Sequence, residues 1–263
     1  MRNAALMLFL LTTACGGDDD AGRSDGGSDS DGSACGADCV DAEPVGQVCS
    51  DPVFTTSDPD GGWSDGGYYV HNNMWNCDDY ECVETLSACS YASFYTIANM
   101  NDDSHDGAVK SYPNVHKDYD APLISSFSAI TTTFAATSPH VGIYNVAYDV
   151  WLNGVASPDS NEIMIWTENY NQVPAGDQVA TVTLGGADYD LYRTGDGGYI
   201  AFVPAAVMTS GGIDLLELFD YVVSQGWIAG DSTIGQIGYG VEIVSTDGND
   251  ARFDFTDFSI TER

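Results

Sequence analysis

Short runs of Val, Ile, Tyr, Thr and Phe, repeatedly broken by glycine-bearing turns, set the strongest limit on what this chain can fold into. The runs include Tyr68 to His71, Tyr144 to Leu152, Glu162 to Thr167, Gln178 to Leu184, Asp188 to Tyr192, Tyr199 to Val203, Ile234 to Val244 and Ala251 to Ile260. Between them stand Asn153-Gly154, Gly185-Gly186, Asp196-Gly197-Gly198 and Asp247-Gly248. β-Branched and aromatic side chains fit a pleated surface, while Asn-Gly and Asp-Gly pairs reverse the chain with little steric strain. The pattern predicts an all-β sandwich or barrel of antiparallel strands. One segment has a different period. Leu215, Leu218, Phe219 and Val222 recur at helical spacing, opened by Asp214 with Glu217 three residues on and closed by Gly226. Ile213 to Gln225 therefore reads as a capped amphipathic helix of about three turns, packed on one sheet of a sandwich.

The rest of the 263-residue chain is organised differently. Residues 1–15 read as an export signal: Arg2 supplies positive charge, Ala4 to Leu11 is apolar but too short to span a bilayer, and Thr12, Thr13 and Ala14 are small. Cys15 stands where a bacterial lipoprotein carries its lipidated cysteine, although Leu11 sits one place early; plain signal-peptidase cleavage nearby is the alternative. Residues 16–48 form an acidic linker rich in Gly, Ser and Asp, unable to bury a core. Residues 49–263 are the globular domain. The expected location is secreted, or on the bacterial cell surface with lipid as the only membrane contact.

Charge and cysteines narrow the function further. Forty Asp+Glu against 7 Lys+Arg repel phosphate backbones and anionic headgroups, so nucleic acid and polyanionic substrates are disfavoured and a neutral polymer is compatible. With Cys15 lipidated, Cys35, Cys39, Cys49, Cys77, Cys82 and Cys89 remain, an even set that reads as disulfides in an exported protein, with the pairing left open. Zinc fits poorly, because no paired C-x-x-C occurs and His71, His105, His116 and His140 are scattered. No metal and no organic cofactor are expected, and the protein is expected to be a monomer.

Period two then singles out three acidic residues. In Tyr144 to Leu152, Val146, Tyr148, Val150 and Leu152 share one face, and Ala147, Asp149 and Trp151 share the other. In Glu162 to Thr167, Ile163 and Ile165 oppose Glu162, Met164 and Trp166; near the end of the chain, Tyr239, Val241 and Ile243 oppose Gly240 and Glu242. A strand Glu is usually no more than the solvated side. Three carboxylates among apolar and aromatic neighbours suggest something else, since carboxyls held close together cannot all ionise freely and one can then act as an acid. Glycosidic cleavage needs such a pair. Five Trp and fifteen Tyr, with Asn72-Asn73-Met74-Trp75 combining amide and indole, suit stacking against sugar rings, although core Trp and turn Asn explain them equally well.

At these residues the chain resembles glycoside hydrolase family 12, the small β-jelly-roll cellulases and xyloglucanases. The resemblance rests on His71-Asn72-Asn73-Met74-Trp75-Asn76, Val109 to Asn114, Asn145 to Trp151, Glu162-Ile163-Met164-Ile165-Trp166 and Gly240-Val241-Glu242-Ile243, in the family's order. It covers roughly Cys49 to Thr261 and implies a jelly-roll of two antiparallel sheets with one packed α-helix. It implies Glu162 as nucleophile, Glu242 as acid/base and Asp149 as the aspartate beside the nucleophile. It places Asn73 and Trp75 along the substrate and Met164 and Trp166 around the nucleophile, with Trp75, Trp151 and Trp166 as stacking rings. It pairs Cys49 with Cys82, leaving Cys77 with Cys89 and Cys35 with Cys39. Val244 and the Thr167 to Gly176 loop depart from the family pattern, which puts sugar contacts on the leaving-group side in doubt.

The implied activity is a retaining endo-β-1,4-glucanase without cofactor, acting on cellulose or mixed-linkage β-glucan ahead of xyloglucan. A xyloglucan-specific endoglucanase is the closest rival, with Tyr170 able to stack on a branch. A xylanase of the sister jelly-roll family and a non-catalytic surface glucan-binding protein are weaker ones. A retaining mechanism would place the two Glu carboxyls about 5–5.5 Å apart.

Overall fold

The computed structural model describes residues 46–77 and 80–263. The export signal, Cys15, the linker up to residue 45 and the Cys35–Cys39 pair lie outside the described residues. The strands are β1 (Phe54–Thr56), β2 (Gly62–Asp65), β3 (Tyr68–His71), β4 (Cys82–Ser90), β5 (Ser93–Met100), β6 (Asn114–Asp118), β7 (Ile130–Thr137), β8 (Ile143–Leu152), β9 (Asn161–Tyr170) and β10 (Asp177–Leu184). They continue as β11 (Ala187–Arg193), β12 (Tyr199–Pro204), β13 (Ser210–Asp214), β14 (Ile234–Ser245) and β15 (Ala251–Glu262), with helix α1 (Leu215–Ser224) between β13 and β14. A 6-stranded sheet runs β1-β4-β5-β15-β7-β13, and a 9-stranded sheet runs β10-β11-β12-β9-β8-β14-β6-β3-β2. The pairings are antiparallel with one exception: β12 lies parallel to β9, which corrects the expectation of two purely antiparallel sheets.

Alternation decides which face of each strand meets the core. Val146, Tyr148, Val150 and Leu152 of β8, Ile163 and Ile165 of β9, and Tyr239, Val241 and Ile243 of β14 join one buried cluster with Phe94, Phe134, Phe253, Phe255 and Phe258 from the other sheet. Rings interlock across it: Phe134 meets Tyr148 edge-on at 5.9 Å, and Phe255 meets Tyr239 edge-on at 5.7 Å. Each such ring removes enough apolar surface from water to contribute roughly 1.5–3 kcal/mol. A one-residue slip of any of these strands would turn that face to solvent, so the core fixes the register. The opposite face of the 9-stranded sheet is thereby obliged to carry Asp149, Glu162 and Glu242.

The helix begins and ends as its sequence dictates. The Asp214 carboxylate accepts the free N–H groups of Leu216 and Glu217, and Leu215, Leu218, Phe219 and Val222 are buried. Gly226, at φ +69°, donates to the Val223 carbonyl, and Trp227 donates to Val222, which together make a Schellman ending. The expected start at Ile213 moves two residues on, because Ile213 pairs with Thr132 as part of β13.

The disulfide pairing differs from the expected one. Cys49 is bonded to Cys89 and Cys77 to Cys82, so neither Cys49–Cys82 nor Cys77–Cys89 forms. β4 explains the exchange. It places Cys89 at the end beside the entering chain, where Val53 donates to the Ala88 carbonyl, and Cys82 at its start, next to the loop that carries Cys77.

Candidate active site

The three carboxylates reach one surface through register rather than through sequence proximity. Asp149 of β8 lies opposite Gly238 of β14 on one side and Met164 of β9 on the other. Two residues along, Trp151 lies opposite Glu162, and Glu162 in turn lies beside Tyr199 of the parallel strand β12. Further along β8 in the other direction, Asn145 lies opposite Glu242 of β14. All of these residues occupy the face turned away from the core.

That face carries a small apolar layer of its own. Ala147, Met164, Trp166 and Ala201 are buried together, with Tyr192, Tyr199 and Val203 packed against them. Met164 and Trp166 share the Glu162 face of β9 but are each 1 % exposed, so they are packed in beside the carboxylate, and Trp166 is not the open stacking ring expected from sequence. The Tyr199 hydroxyl donates to the Met164 sulfur at 3.4 Å. Trp151 is partly exposed, and its indole N–H donates to Asp149 Oδ2 at 2.9 Å, which fixes the ring beside both acids. Trp75 is 60 % exposed on the loop after β3 and is not one of the contacts that hold the carboxylates. Asn73 takes the left-handed conformation in the same loop, and its carbonyl accepts from Tyr112 N at 3.0 Å. Tyr112 then reaches under β8, its hydroxyl donating to the Ala147 carbonyl at 3.0 Å.

Burial sets the electrostatics. The Asp149 carboxyl is pushed up to about 8, first by desolvation and then by the charge of Glu242, while the Trp151 bond works against the shift. Asp149 Oδ1 is buried without a hydrogen-bond partner among the described residues, as expected for a carboxyl that carries a proton. Glu162 is raised well above the ordinary carboxylate range by desolvation and then by the charges of Asp149 and Glu242. Glu242 is raised by desolvation, against amide donors from Asn145 at 2.6 Å and Gln172 at 3.4 Å, both on Oε2. The charge of Glu242 acts on both Asp149 and Glu162, and that of Asp149 on Glu162, so the three titrations are linked. Such a set holds a proton at neutral pH, supplying an acid and an anionic partner on the same surface.

Sequence reasoning missed several participants. Asn145 lies inside the Asn145 to Trp151 motif with nothing in sequence to set it apart, and Gln172 lies in the divergent Thr167 to Gly176 loop. Tyr112 and Tyr199 lie in the field of the carboxylates, Tyr112 facing Asp149 and Glu242, and Tyr199 facing all three. Gly238 and Gly240 leave the floor bare beside Asp149 and Ala147. At Gly240 a Cβ would sit 2.3 Å from the Pro113 carbonyl oxygen, so the close approach of that strand demands glycine. The alternation of Gly238 and Gly240 around Tyr239 was the available signal, since glycine inside a strand marks close approach of a ligand or of backbone. Among the described residues no cluster of three or more His, Cys, Asp or Glu side chains is arranged to hold a metal ion.

Comparison with known proteins places this arrangement in a family. Residues 66–262 match the description "Glycosyl hydrolase family 12". Endoglucanase S of Pectobacterium parmentieri is 27% identical over 219 residues, covering 73% of this chain and 81% of its own. The xyloglucan-specific endo-beta-1,4-glucanase A of Emericella nidulans is 28% identical over 207 residues, covering 74% and 86%. Among solved structures, the native family 12 xyloglucanase from Bacillus licheniformis superposes with a TM-score of 0.71 at 24% identity, over 80% of this chain and 100% of its own, which supports the fold. Two packed sheets, a single helix and carboxylates on the exposed face of the larger sheet accord with that match, and the chain belongs to glycosyl hydrolase family 12.

Proposed function

We propose that this glycoside hydrolase is a retaining endo-β-1,4-glucanase in which Glu162 is the nucleophile and Glu242 the acid/base. The observation that supports it most is that Glu162 and Glu242 flank β8 on one face of the sheet with Asp149 on the strand between them, and that Glu162 feels the charge of both. In the first step Glu162 attacks the anomeric carbon, the glycosidic C–O bond breaks, and Glu242 gives its proton to the departing oxygen. In the second, Glu242 takes a proton from water, the hydroxide attacks the glycosyl-enzyme, and the Glu162 carboxylate leaves. Asp149, pinned by Trp151, takes up the cluster's proton, which removes its like charge from beside Glu162 when the sugar arrives. No step calls for a cofactor.

Unbranched or mixed-linkage β-1,4-glucan is the favoured substrate. The relatives' names include both endoglucanase and xyloglucan-specific enzymes. Tyr170, the residue best placed in sequence to meet a xylose branch, is partly buried, with its ring stacked on Tyr144 at 5.4 Å and 5.8 Å from His140. That engagement weighs against Tyr170 as a platform for a xylose branch. The paired cysteines suit export, and the lipid anchor at Cys15 and a monomeric state remain part of this proposal.

The test uses the full-length chain on barley β-glucan, carboxymethylcellulose, xyloglucan and xylan, with product anomers followed by NMR. The β-anomer should form first, and Glu162→Gln should lose activity by several orders of magnitude while keeping its fold. Azide should rescue Glu162→Ala by forming a glycosyl azide. Formation of the α-anomer first, or near-normal turnover by Glu162→Gln, would refute the mechanism.

A further inference from the structure

The loop between β9 and β10 carries an arrangement that the two-glutamate mechanism does not use. Asn169, near the end of β9, closes on Gln172 from both sides: its Oδ1 accepts Gln172 N at 3.0 Å, and its Nδ2 donates to Gln172 O at 3.0 Å. Asn171 is left-handed at φ +62°, and its amide donates to the Gly142 carbonyl at 3.0 Å. Gly176 ends the loop at φ +84°, where a Cβ would lie 2.2 Å from the Arg193 carbonyl oxygen. The backbone on both sides of Gln172 is thereby held, which sets where its side chain starts. It points at the Oε2 atom of Glu242, 3.4 Å away, which also receives Asn145 Nδ2 at 2.6 Å.

The two amides thus converge on a single carboxylate oxygen. Among the described residues, Oε1 of Glu242 receives no donor. Gln172 Oε1 and Asn145 Oδ1 are both buried without a partner, so both side chains spend their N–H groups on Glu242 and leave their carbonyl oxygens unmatched. That unmatched burial is a cost a merely structural loop has no reason to carry.

We propose that Gln172 is a positioning residue for Glu242: together with Asn145 it fixes Oε2, leaving Oε1 as the oxygen that gives the proton to the departing glycosidic oxygen and later receives one from water. This rests on the acid/base reading of Glu242. An amide donor also favours the ionised form of the carboxyl it touches, which opposes burial. The other titratable groups facing Glu242 are Asp149 and Glu162 from β8 and β9, Tyr112 from the segment before β6, and Tyr199 from β12. Burial raises Glu242 and the charge of Glu242 raises these neighbours, whereas the two amides are the groups that lower Glu242.

Gln172→Ala and Asn169→Ala test this in the full chain, the second loosening the clamp while keeping the amide. On barley β-glucan, whose leaving oxygen needs a proton, kcat should fall roughly tenfold for Gln172→Ala and less for Asn169→Ala. The alkaline limb of the pH profile should move upward by about half a unit, because the carboxylate has lost a donor. On a dinitrophenyl β-cellotrioside, whose leaving group needs no proton, the burst rate of phenolate release should stay within about twofold. Equal losses on both substrates with an unmoved alkaline limb would show the loop to be structural only and overturn the proposal. Glu242→Ala separates the two levels of inference. If it fails to show the same leaving-group dependence, the acid/base assignment itself falls; if it shows that dependence and Gln172→Ala does not, only the role of Gln172 falls.

Discussion

Glu84→Gln should flatten the dependence of stability on pH, and the effect follows from one buried carboxyl in β4. Glu84 is 2 % exposed, on the core side of the 6-stranded sheet. Its Oε2 accepts the Ser111 hydroxyl at 2.8 Å, and its Oε1 has no partner among the described residues. Desolvation pushes the carboxyl from 4.5 up to about 8, with the Ser111 bond acting in the other direction. The folded protein therefore holds a proton that the unfolded chain releases above pH 4.5. Between pH 4.5 and about 8 the unfolded state binds fewer protons, so this group costs stability as pH rises through that window. The slope is about 1.4 kcal/mol per pH unit, or about 3 kcal/mol between pH 5 and pH 7. The amide replacement cannot ionise and removes that slope. Its own hydrogen-bonding change adds a constant offset, which leaves the slope untouched. Urea unfolding at half-unit steps from pH 5 to pH 7.5 measures both proteins, and the other carboxylates cancel in the difference. Parallel stability profiles for wild type and Glu84→Gln would show that Glu84 ionises normally and that the buried, protonated reading is wrong.

Two further perturbations test the frame around the site. Gly240→Ala should lower Tm by several degrees, since its Cβ would meet the Pro113 carbonyl at 2.3 Å and force β14 away from the incoming strand, an overpacking cost of about 1–3 kcal/mol; an unchanged melt would mean the backbone yields freely there. Peptide mapping without reduction should recover Cys49 with Cys89 and Cys77 with Cys82, and a Cys49–Cys82 peptide would restore the pairing inferred by resemblance. Losing Cys49–Cys89, which closes a separation of 40 residues, should cost about 4 kcal/mol by chain entropy, against roughly 2 for the separation of 5 between Cys77 and Cys82.

How far the fold could be read depended on whether alternation and burial agree. In β8, β9 and β14 they do: apolar residues sit at every second position and go inside, so strand bounds and faces emerged within a residue or a few. In β4 they conflict, because Val83 is 68 % exposed while Glu84 is buried, the reverse of what polarity suggests. In β7 the run Thr131-Thr132-Thr133 hides the inward Thr132, whose hydroxyl finds the Ile213 carbonyl at 3.2 Å. Buried polar groups satisfied by distant partners leave no periodic trace, and such strands are invisible until the partner is placed. The disulfides failed for a related reason: pairing depends on which end of β4 each cysteine reaches, and spacing along the chain does not encode that.

The site was legible to the extent that its residues are costly anywhere else. An acid on a strand whose neighbours are Met, Trp and Ile needs a reason to be there, and that oddity points to Asp149, Glu162 and Glu242, which the sheet register carries to one face. Asn145 and Gln172 are amides, unremarkable in a strand or a loop, and their only distinction is the oxygen they both reach. Trp166 shows the converse. An indole next to the nucleophile motif reads as a sugar platform, yet at 1 % exposure it is packed in beside the carboxylate. Acids announce themselves by the cost of burying charge, whereas amides and aromatic rings are at home both inside and outside. Their roles follow from direction alone, and direction is set by register: the β8–β9 bulge after Val146 places Glu168 against the core-side residue Val146 and leaves Asn169 opposite Asn145. That shift puts Asn169 on the outer face, where it clamps Gln172 beside Glu242. A regular ladder that included Thr167 would instead set Glu168 on the outer face opposite Asn145 and turn Asn169 toward the core, so the bulge is what aims the clamp at Glu242 while all three carboxylates stay where they are.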